Sequence, residues 1–267
     1  MAVITLLTDF GTDDEYVGIM KGVILSINPR ASIVDITHHV EPQNIEQACY
    51  IVESSSKYFP EGTVHVCVVD PGVGSERSIL ALKMNNHFFL APDNGILSLL
   101  VEKGRVDSIV SVTNSDYFLD SVSQTFHGRD IFAPVAAHIA SGVEIKHFGE
   151  DVDKEKILKL NIKKPLISNT GRISGEIVYV DHFGNLITNI DSVLLNKIKG
   201  KRGDKTFEIQ IGERKIKGLS NSYKSVEEKK PLAIIGSRGY LEISVNCGSA
   251  YEYFSAEKGA VIAVTIN

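Results

Sequence analysis

The 267-residue sequence has few cysteines, no long apolar run and fewer basic than acidic side chains. Its three cysteines, Cys49, Cys67 and Cys247, are odd in number and lack CxxC spacing. We therefore interpret them as thiols, which excludes a disulfide framework or a zinc site. No apolar stretch reaches the length of a membrane span, and the first one stops at Asp9 without a basic region before it, unlike a signal peptide. We expect a cytoplasmic protein with no membrane partner.

The charge balance argues against a nucleic-acid partner, because 28 Lys and Arg face 33 Asp and Glu, for a net charge of −5. The charges are also unevenly placed. Residues 1–150 carry 9 basic and 19 acidic side chains, residues 151–267 carry 19 basic and 14 acidic ones, and seven of eight histidines precede residue 150. Two compositional regimes predict two domains, with the acidic, histidine-rich one as the main seat of chemistry.

Hydrophobic periodicity changes along the chain in the same way. Up to residue 155, apolar strands alternate with helical patterns, including strands at 2–8, 32–37 and 63–69, helices at 16–27 and 128–140, and a hairpin around Asn85-Asn86. This pattern predicts an α/β domain with a mostly parallel sheet. Residues 156–170 are predicted to be a connecting segment, and the short strands of 171–267, without convincing helices, predict a smaller all-β barrel domain.

Acidic side chains follow three of the predicted strands, at Asp9, Asp35 and Asp70. Ligands of open α/β sheets bind outside the carboxyl ends of the strands, so these positions are candidate site residues. An Asp at a strand–helix junction also caps helices, and for Asp35 we favour that interpretation. Asp9 is followed by Thr12, Asp13, Asp14 and Glu15, which is more polar side chains than one cap requires.

Further candidates lie in a glycine-rich turn and before a predicted helix. Asp70 and Arg77 flank a turn that contains Gly72 and Gly74. A tight turn in which both glycines adopt positive φ explains why they are glycines. The flanking Asp and Arg fit either a structural or a catalytic ion pair. His127 could transfer protons, bind a ligand or simply pack. For the histidine pair that begins at His38, a structural role is favoured over metal binding, since no metal-ligand pattern accompanies it.

Two turn-like segments of the second half carry recognition chemistry. In residues 181–185, the ring of Phe183 and the amide of Asn185 suit a flat base, although a β-bulge explains the segment as well. In residues 236–240, Ser237 and Arg238 suit a carboxylate or phosphate, although the segment also fits a hairpin turn.

These segments occur together and in order, at 8–14, 69–74, Arg77, 92–95, 126–130, 181–185 and 237–240. In that combination they resemble the S-adenosylmethionine (SAM) hydroxide adenosyltransferases, which are related to the fluorinase and chlorinase. The resemblance covers nearly the whole chain and depends on no single motif. It implies an N-terminal α/β domain, a C-terminal β-barrel domain, and a homotrimer with sites between neighbouring subunits.

The resemblance also implies a role for each candidate. The residues implied to bind substrate are Asp9 for the ribose hydroxyls, Asp14 for the methionine ammonium, Phe183 and Asn185 for the adenine, and Ser237 with Arg238 nearby for the methionine carboxylate. Asp70, Arg77 and His127 match the set that handles water. The halogenating relatives carry an aromatic residue, a Tyr and a Ser in place of Asp70, His127 and Gly128, so these departures favour water over halide.

The implied reaction is SAM plus water giving adenosine plus methionine, with no cofactor and no metal. Two alternatives remain open from the residues alone. One is a metal-dependent phosphohydrolase that would use as ligands Asp9, Asp13, Asp14, His38 and Asp70. The other is a protein that binds SAM or a nucleoside without turnover.

Overall fold

The computed structural model describes residues 2–199 and 206–266. The chain divides into two compact units between Asn161 and Ile162, a point that falls inside the predicted connecting segment. Each unit has its own apolar core, and each is described by itself.

The first unit is a sheet with helices on both faces. In chain order its elements are β1 (Val3–Thr8), α1 (Tyr16–Ile27), β2 (Ser32–Thr37), α2 (Ile45–Ser55), β3 (Val64–Val68), β4 (Ile79–Met84), β5 (His87–Pro92), α3 (Ser98–Lys103), β6 (Val106–Val112), α4 (Ala133–Ala140) and β7 (Gly149–Asp151). The strand order is β2-β1-β3-β5-β4-β6-β7. This confirms the predicted α/β fold.

The sheet is mixed, because only β2, β1, β3 and β5 run parallel. The remaining strands pair antiparallel, starting with the β4–β5 hairpin. The hairpin turns at Asn85 and Asn86, which have φ of 51° and 60°. Positive φ at both central residues is what a tight two-residue hairpin requires, and Asn tolerates it. The hairpin was expected, and it inserts an antiparallel strand, β4, between β5 and β6.

Apolar cores on both faces explain the nearly continuous hydrophobic strands. On one face, Met20 of α1 and Phe132 before α4 pack in the same core as strand residues such as Leu6. On the other, Val52 of α2 and Leu100 of α3 belong to a second core. Every residue of β3 is buried, as expected for a strand covered on both sides.

The second unit is a nearly closed antiparallel barrel, as predicted. Its elements are β8 (Leu166–Ile167), β9 (Ile173–Val180), β10 (Leu186–Asp191), α5 (Ser192–Lys199), β11 (Phe207–Ile211), β12 (Arg214–Lys217), β13 (Pro231–Ile235), β14 (Tyr240–Val245), α6 (Ala250–Phe254) and β15 (Val261–Ile266). The order is β12-β11-β15-β9-β10-β14-β13, with β8 on β9. The backbone N–H of Ser220, after β12, donates to the carbonyl of Ala233 in β13 at 2.7 Å, which joins the two edges.

The short helices α5 and α6 were not expected from the sequence. Both have side-chain caps that mark their starts. Asp191 Oδ1 accepts from the backbone N–H of Leu194 at 2.7 Å, and Ser249 Oγ accepts from that of Glu252 at 3.2 Å. The Ser-x-x-Glu spacing of the second cap is a known helix-start signal.

The cysteines are free thiols, two of them buried. Burial raises the pKa of Cys49 to about 12 and also raises the pKa of Cys67, so both remain protonated. In the described residues, no helix combines the length and the apolar character that crossing a membrane requires.

Candidate active site

The carboxyl ends of the parallel strands β1 and β3 lie side by side. Thr8, the last residue of β1, pairs with Val68, the last residue of β3. Asp9 and Asp70 follow these strands, so both emerge at the same edge of the sheet, as predicted. Asp35 does not emerge at this edge, because strand β2 continues past Asp35 to Thr37. The helix cap expected of Asp35 is wrong: Asn44 caps α2, and Asp35 is an exposed partner of a lysine.

Asp9 is fixed by the loop that follows β2. Its Oδ2 accepts from the backbone N–H of Gln43 at 2.8 Å, and the N–H of Gly11 donates to the carbonyl of His38 at 2.8 Å. Asp14 lies farther along the loop between β1 and α1, which begins at Asp9, and its side chain is exposed to solvent. The two candidate substrate-binding acids of the β1–α1 loop therefore differ: the Asp9 carboxylate is held by a hydrogen bond, whereas the Asp14 carboxylate faces solvent.

His38 joins three neighbouring parts of this edge. It is 4% exposed, its Nδ1 lies 2.9 Å from Thr8 Oγ1, and its Nε2 lies 3.1 Å from Asp35 Oδ1, off the line of a good hydrogen bond. His38 thus braces the strand end that precedes Asp9. Among residues 2–199 and 206–266, no three His, Cys, Asp or Glu side chains are grouped as metal ligands.

Asp70, Arg77 and His127 form one hydrogen-bonded set. Arg77 Nε donates to Asp70 Oδ1 and Oδ2 at 3.0 and 2.9 Å, and Arg77 Nη2 donates to Asp70 Oδ2 and to His127 Nδ1, the latter at 2.9 Å. The Asp70 and Arg77 side chains are only 4% and 10% exposed. Charge-assisted bonds of this kind are short and strong, so the guanidinium fixes both partners.

The contact between Arg77 and His127 determines the tautomer of the imidazole. A guanidinium has five N–H donors and no acceptor, so the Nδ1 atom facing it must carry a lone pair. Burial lowers the pKa of His127, and the charge of Arg77 lowers it further, against weaker opposing effects of Asp70, Asp130 and a backbone hydrogen bond with Ser123. His127 is therefore neutral at pH 7 and carries its proton on Nε2.

One glycine allows the turn at Asp70 to contact the segment before His127. Gly74 has φ of +76°, and a methyl group at this position would overlap the backbone carbonyl of Gln124. Gly72 has no positive φ, so its expected left-handed conformation is wrong, although an added methyl group would sit 3.4 Å from Arg77 Cγ. Close approach at Gly74 is what brings residues so distant in sequence together.

His127 precedes a π-helical turn, Gly128–Phe132, which opens the predicted helix before α4. Such wide turns are rare and occur frequently at functional sites. An added side chain at Gly128 would begin 3.2 Å from Met20 Sδ and from a ring carbon of Phe126. A side chain at position 128 would therefore require Met20 and Phe126 to move by a few tenths of an ångström.

Asp130, which the sequence indicated only as part of the segment 126–130, is a buried support of the site. It is fully buried, accepts from Arg129 Nε at 2.6 Å, and accepts from the backbone N–H of Ser123 at 2.8 Å. Burial alone would raise the pKa of Asp130, but the hydrogen bonds from Arg129 and Ser123 outweigh it and lower the pKa. Asn94, a member of the segment 92–95 to which no role was assigned, donates from Nδ2 to the carbonyl of Val69, next to Asp70, at 2.8 Å.

In the second unit, Asp181 shapes the turn between β9 and β10. Its carboxylate accepts from the backbone N–H groups of Phe183 and Asn185 and from the Asn185 side-chain amide, each at 2.9 Å. The Asn185 Nδ2 group is thus engaged inside the protein, whereas the Phe183 ring is 74% exposed. This arrangement offers a free aromatic face for stacking.

Ser237 and Arg238 lie in the turn between β13 and β14, and the structure does not place them in contact with Phe183 or Asn185. Ser237 is exposed, and the Arg238 guanidinium carbon lies 4.9 Å from the centre of the Tyr179 ring. Burial lowers the pKa of Arg238, against the attraction of Glu242. Tyr179 is 3% exposed, and its hydroxyl has no hydrogen-bond partner among the described residues.

Known proteins resemble the chain along its full length. The SAM hydroxide adenosyltransferase N-terminal domain matches residues 4–149 and the C-terminal domain of the same name matches residues 175–263. An "(R)-S-adenosyl-L-methionine hydrolase" from Thermus thermophilus is 33% identical, over 97% of this chain and 98% of that protein, and one from Methanocaldococcus jannaschii is 36% identical, over 91% and 88%.

More distant relatives and a solved structure agree with this assignment. A protein named fluorinase from Actinoplanes sp. is 26% identical, over 98% of this chain and 97% of that protein. The crystal structure of an uncharacterized conserved protein from Thermotoga maritima is 37% identical with a TM-score of 0.90, covering 99% of each chain. The chain belongs to the SAM hydroxide adenosyltransferase family.

Proposed function

We propose that this chain hydrolyses (R)-S-adenosyl-L-methionine to adenosine and L-methionine by attack of water at C5′. The observation that carries the proposal is the buried, hydrogen-bonded set of Asp70, Arg77 and His127 in a chain of this family. The configuration comes from the names of the relatives. Because "L" already specifies the α-carbon, the prefix "(R)" describes the sulfonium sulfur.

The reaction needs a positioned nucleophile more than it needs an acid. A sulfonium leaves as a neutral thioether, so no proton has to be delivered to the leaving group. Holding a water molecule in line with the C5′–S bond supplies the main catalytic effect, which in favourable model reactions reaches roughly 7–11 kcal/mol. Water also loses its proton as its oxygen bonds to carbon, and a nearby base assists this transfer.

Asp70 is the proposed proton acceptor. The Nδ1 lone pair of His127 is occupied by Arg77 Nη2, so in this geometry it is not available to a water molecule. A carboxylate offers about four lone-pair positions, and the three contacts with Arg77 leave Asp70 able to accept another hydrogen bond. His127 then positions Arg77, and Arg77 stabilises the charge on Asp70.

Substrate recognition is proposed to draw on both units. The proposed contacts are Asp9 with the ribose, Asp14 with the ammonium, Phe183 and Asn185 with the adenine, and Ser237 and Arg238 with the carboxylate. We also propose a cytoplasmic homotrimer with sites between subunits, to be tested by light scattering of the purified protein. A monomer in solution that hydrolyses SAM would contradict the trimeric arrangement.

Labelled water tests the proposed reaction directly. The purified protein is incubated in ¹⁸O-water with each sulfonium epimer separately, and the adenosine is analysed by mass spectrometry. We expect ¹⁸O at the 5′ position of adenosine and faster turnover of the (R) epimer. Unlabelled adenosine would exclude attack by water, and equal rates would exclude the proposed stereochemical preference.

Substitutions test the assigned roles. Asp70→Asn is expected to lower kcat by about 10²–10⁴-fold, the usual contribution of a general base, while SAM binding is retained. Asp107→Asn is a matched control, since Asp107 is an exposed acid of strand β6 in the same unit. His127→Ala should also lose turnover and retain binding. Normal turnover in both Asp70→Asn and His127→Ala would refute the assignment.

The phosphohydrolase and binding-protein alternatives have separate tests. Two of the suggested metal ligands are already engaged, Asp70 by Arg77 and Asp9 by the backbone of Gln43. We propose that the reaction uses no metal and no cofactor, so adenosine formation should be unchanged by EDTA and by added Mg²⁺ or Mn²⁺. Activity that EDTA abolishes and either ion restores would favour the metal enzyme. SAM binding without adenosine release would favour the binding protein.

A further inference from the structure

A cavity of about 330 Å³ lies in the first unit, at the end of the sheet opposite to Asp70. It is lined by the start of β5, the end of β4, and residues of α2 and α3. His87 begins β5, whereas Asp70 follows the carboxyl end of the neighbouring parallel strand β3. At about 3.3 Å per residue, the length of β3 separates the two places by more than 10 Å.

A chain of hydrogen bonds leads from the interior of the sheet to this cavity. Thr5 Oγ1 lies 2.8 Å from His65 Nδ1, and His65 Nε2 lies 3.2 Å from Nδ1 of His87, which lines the cavity. Thr5 and His65 are fully buried. The His65 ring also stacks on Phe89 at 4.9 Å between centroids, which fixes its orientation.

The protonation states of the two histidines determine which group donates in each of these hydrogen bonds. Burial lowers the pKa of His65 to about 3 and also lowers the pKa of His87, so each imidazole carries one proton at pH 7. Among the described residues, the Thr5 hydroxyl has no acceptor other than His65 Nδ1, and a buried hydroxyl proton must be satisfied. Thr5 therefore donates to His65, and His65 donates from Nε2 to His87 Nδ1.

His87 is consequently left with its proton on Nε2, a donor for which the described residues provide no acceptor. The charged side chains that line the cavity also favour an anion. Lys57 and Lys103 line it with Glu53, which accepts from Lys103 Nζ at 2.9 Å, so the lining carries one excess positive charge. Glu61, outside the lining, opposes this charge and raises the pKa of His87, although burial outweighs that effect. The remaining lining combines the apolar side chains of Met84, Phe89 and Leu100 with Ser56, Asn85 and Gly104.

We propose that this cavity is a second binding site, which takes a small molecule with a carboxylate on an apolar body. The carboxylate accepts from His87 Nε2–H and lies within the field of Lys57, and the apolar body contacts Met84, Phe89 and Leu100. The size agrees with the lower end of small-molecule sites. The proposal is independent of the hydrolase reaction, because no residue of this cavity belongs to the set at Asp70.

Nuclear magnetic resonance of ¹⁵N-histidine-labelled protein tests the proposal with phenylacetate as the probe. Phenethylamine is the matched control, since it has the same ring and chain length with the opposite charge. We expect His87 to be protonated on Nε2 in the free protein, and phenylacetate alone to shift that resonance saturably. A bare Nε2, no shift with phenylacetate, or an equal shift with phenethylamine would overturn the proposal.

Two variants connect the binding to the proposed contacts. His87→Asn keeps an acceptor for His65 but removes the Nε2 donor, and should weaken phenylacetate binding by about tenfold or more. Lys57→Met should weaken it by about two- to fivefold. Lys146→Met, an exposed lysine paired with Glu144, is the control and should leave binding unchanged. Equal affinities in all three variants would contradict the assigned contacts.

Discussion

Gly74→Ala tests whether close contact between two loops holds the candidate catalytic set together. The substitution has two consequences that the structure separates. An alanine at φ of +76° is strained by about 1–2 kcal/mol, and its methyl group overlaps the Gln124 carbonyl, whose carbon would lie only 3.2 Å away. Relieving that overlap requires the loops to separate by about 0.3–0.8 Å at the carbonyl carbon and by more at its oxygen, since ordinary contacts lie near 3.5–4.0 Å.

Gly62→Ala isolates the first consequence from the second. Gly62 has φ of +81°, but no described atom lies within 4 Å of the position of the added methyl group. We expect Gly62→Ala to lower the free energy of unfolding by about 1–2 kcal/mol with unchanged kcat. Gly74→Ala should lose a further 1–3 kcal/mol or so from overpacking. Its kcat should fall by about 10²-fold, because Arg77 moves relative to His127.

Urea unfolding and the rate of adenosine release are the two assays. The reasoning requires Gly74→Ala to differ from Gly62→Ala in both. If the two variants have the same free energy of unfolding and the same kcat, the contact between Gly74 and Gln124 does not position the set. A loss of stability without a loss of kcat would place the contact outside the catalytic geometry.

Three further predictions concern stability. The folded-state pKa of His65, about 3, lies below its ordinary value of 6.5. The neutral His65 imidazole therefore stabilises the folded protein above pH 6.5, and this stabilisation is lost as the pH falls. Between pH 7 and pH 4, the free energy of unfolding in urea should fall by about 3 kcal/mol more in the native protein than in His65→Gln. Asp130→Asn should lose about 2–3 kcal/mol in the same assay, whereas the exposed Asp116→Asn should lose almost none. Tyr179→Phe should gain about 1 kcal/mol, because it removes a buried hydroxyl without a partner, while Tyr223→Phe, which removes a hydroxyl that donates to a glutamate at 2.8 Å, should lose stability.

Each of these outcomes has a clear contradiction. Equal pH dependence with and without His65 would mean that the imidazole is not held neutral by burial. An unaffected Asp130→Asn would mean that the Arg129 pair does not support the π-helical turn. A destabilised Tyr179→Phe would show that the Tyr179 hydroxyl has a partner.

Helices and strands were predictable from the sequence where the spacing of apolar residues and a terminating motif agree. The helix expected at 16–27 is found as Tyr16–Ile27, because apolar spacing and the following Asn28-Pro29 define it. The mixed direction of the sheet was not predicted, since the near-continuous apolar strands indicate burial on both faces and not strand direction. The helix α5 was missed because its cap is one Asp191 within an otherwise β-rich region.

The sequence named the candidate site residues, but it did not determine the contacts among them. Asp70 and Arg77 are seven positions apart around a turn, so their pairing was an open possibility, whereas the contact with His127 spans fifty positions. Only the resemblance to the family connected these residues before the fold was known. Asp130 was noted only as a member of the segment 126–130, because the sequence does not show that its carboxylate is buried and bonded to Arg129 and Ser123. The roles of the substrate-binding residues remain predictions.

The crowding at Gly128 has an evolutionary consequence for the choice of nucleophile. The resemblance to the halogenating relatives implies a halide-binding serine at this position in those proteins. Here Met20 and Phe126 both lie 3.2 Å from the point where that side chain would start. A Gly128→Ser change therefore requires the Met20 and Phe126 side chains to move by a few tenths of an ångström. The cost of a path from water to halide depends on how these two side chains repack.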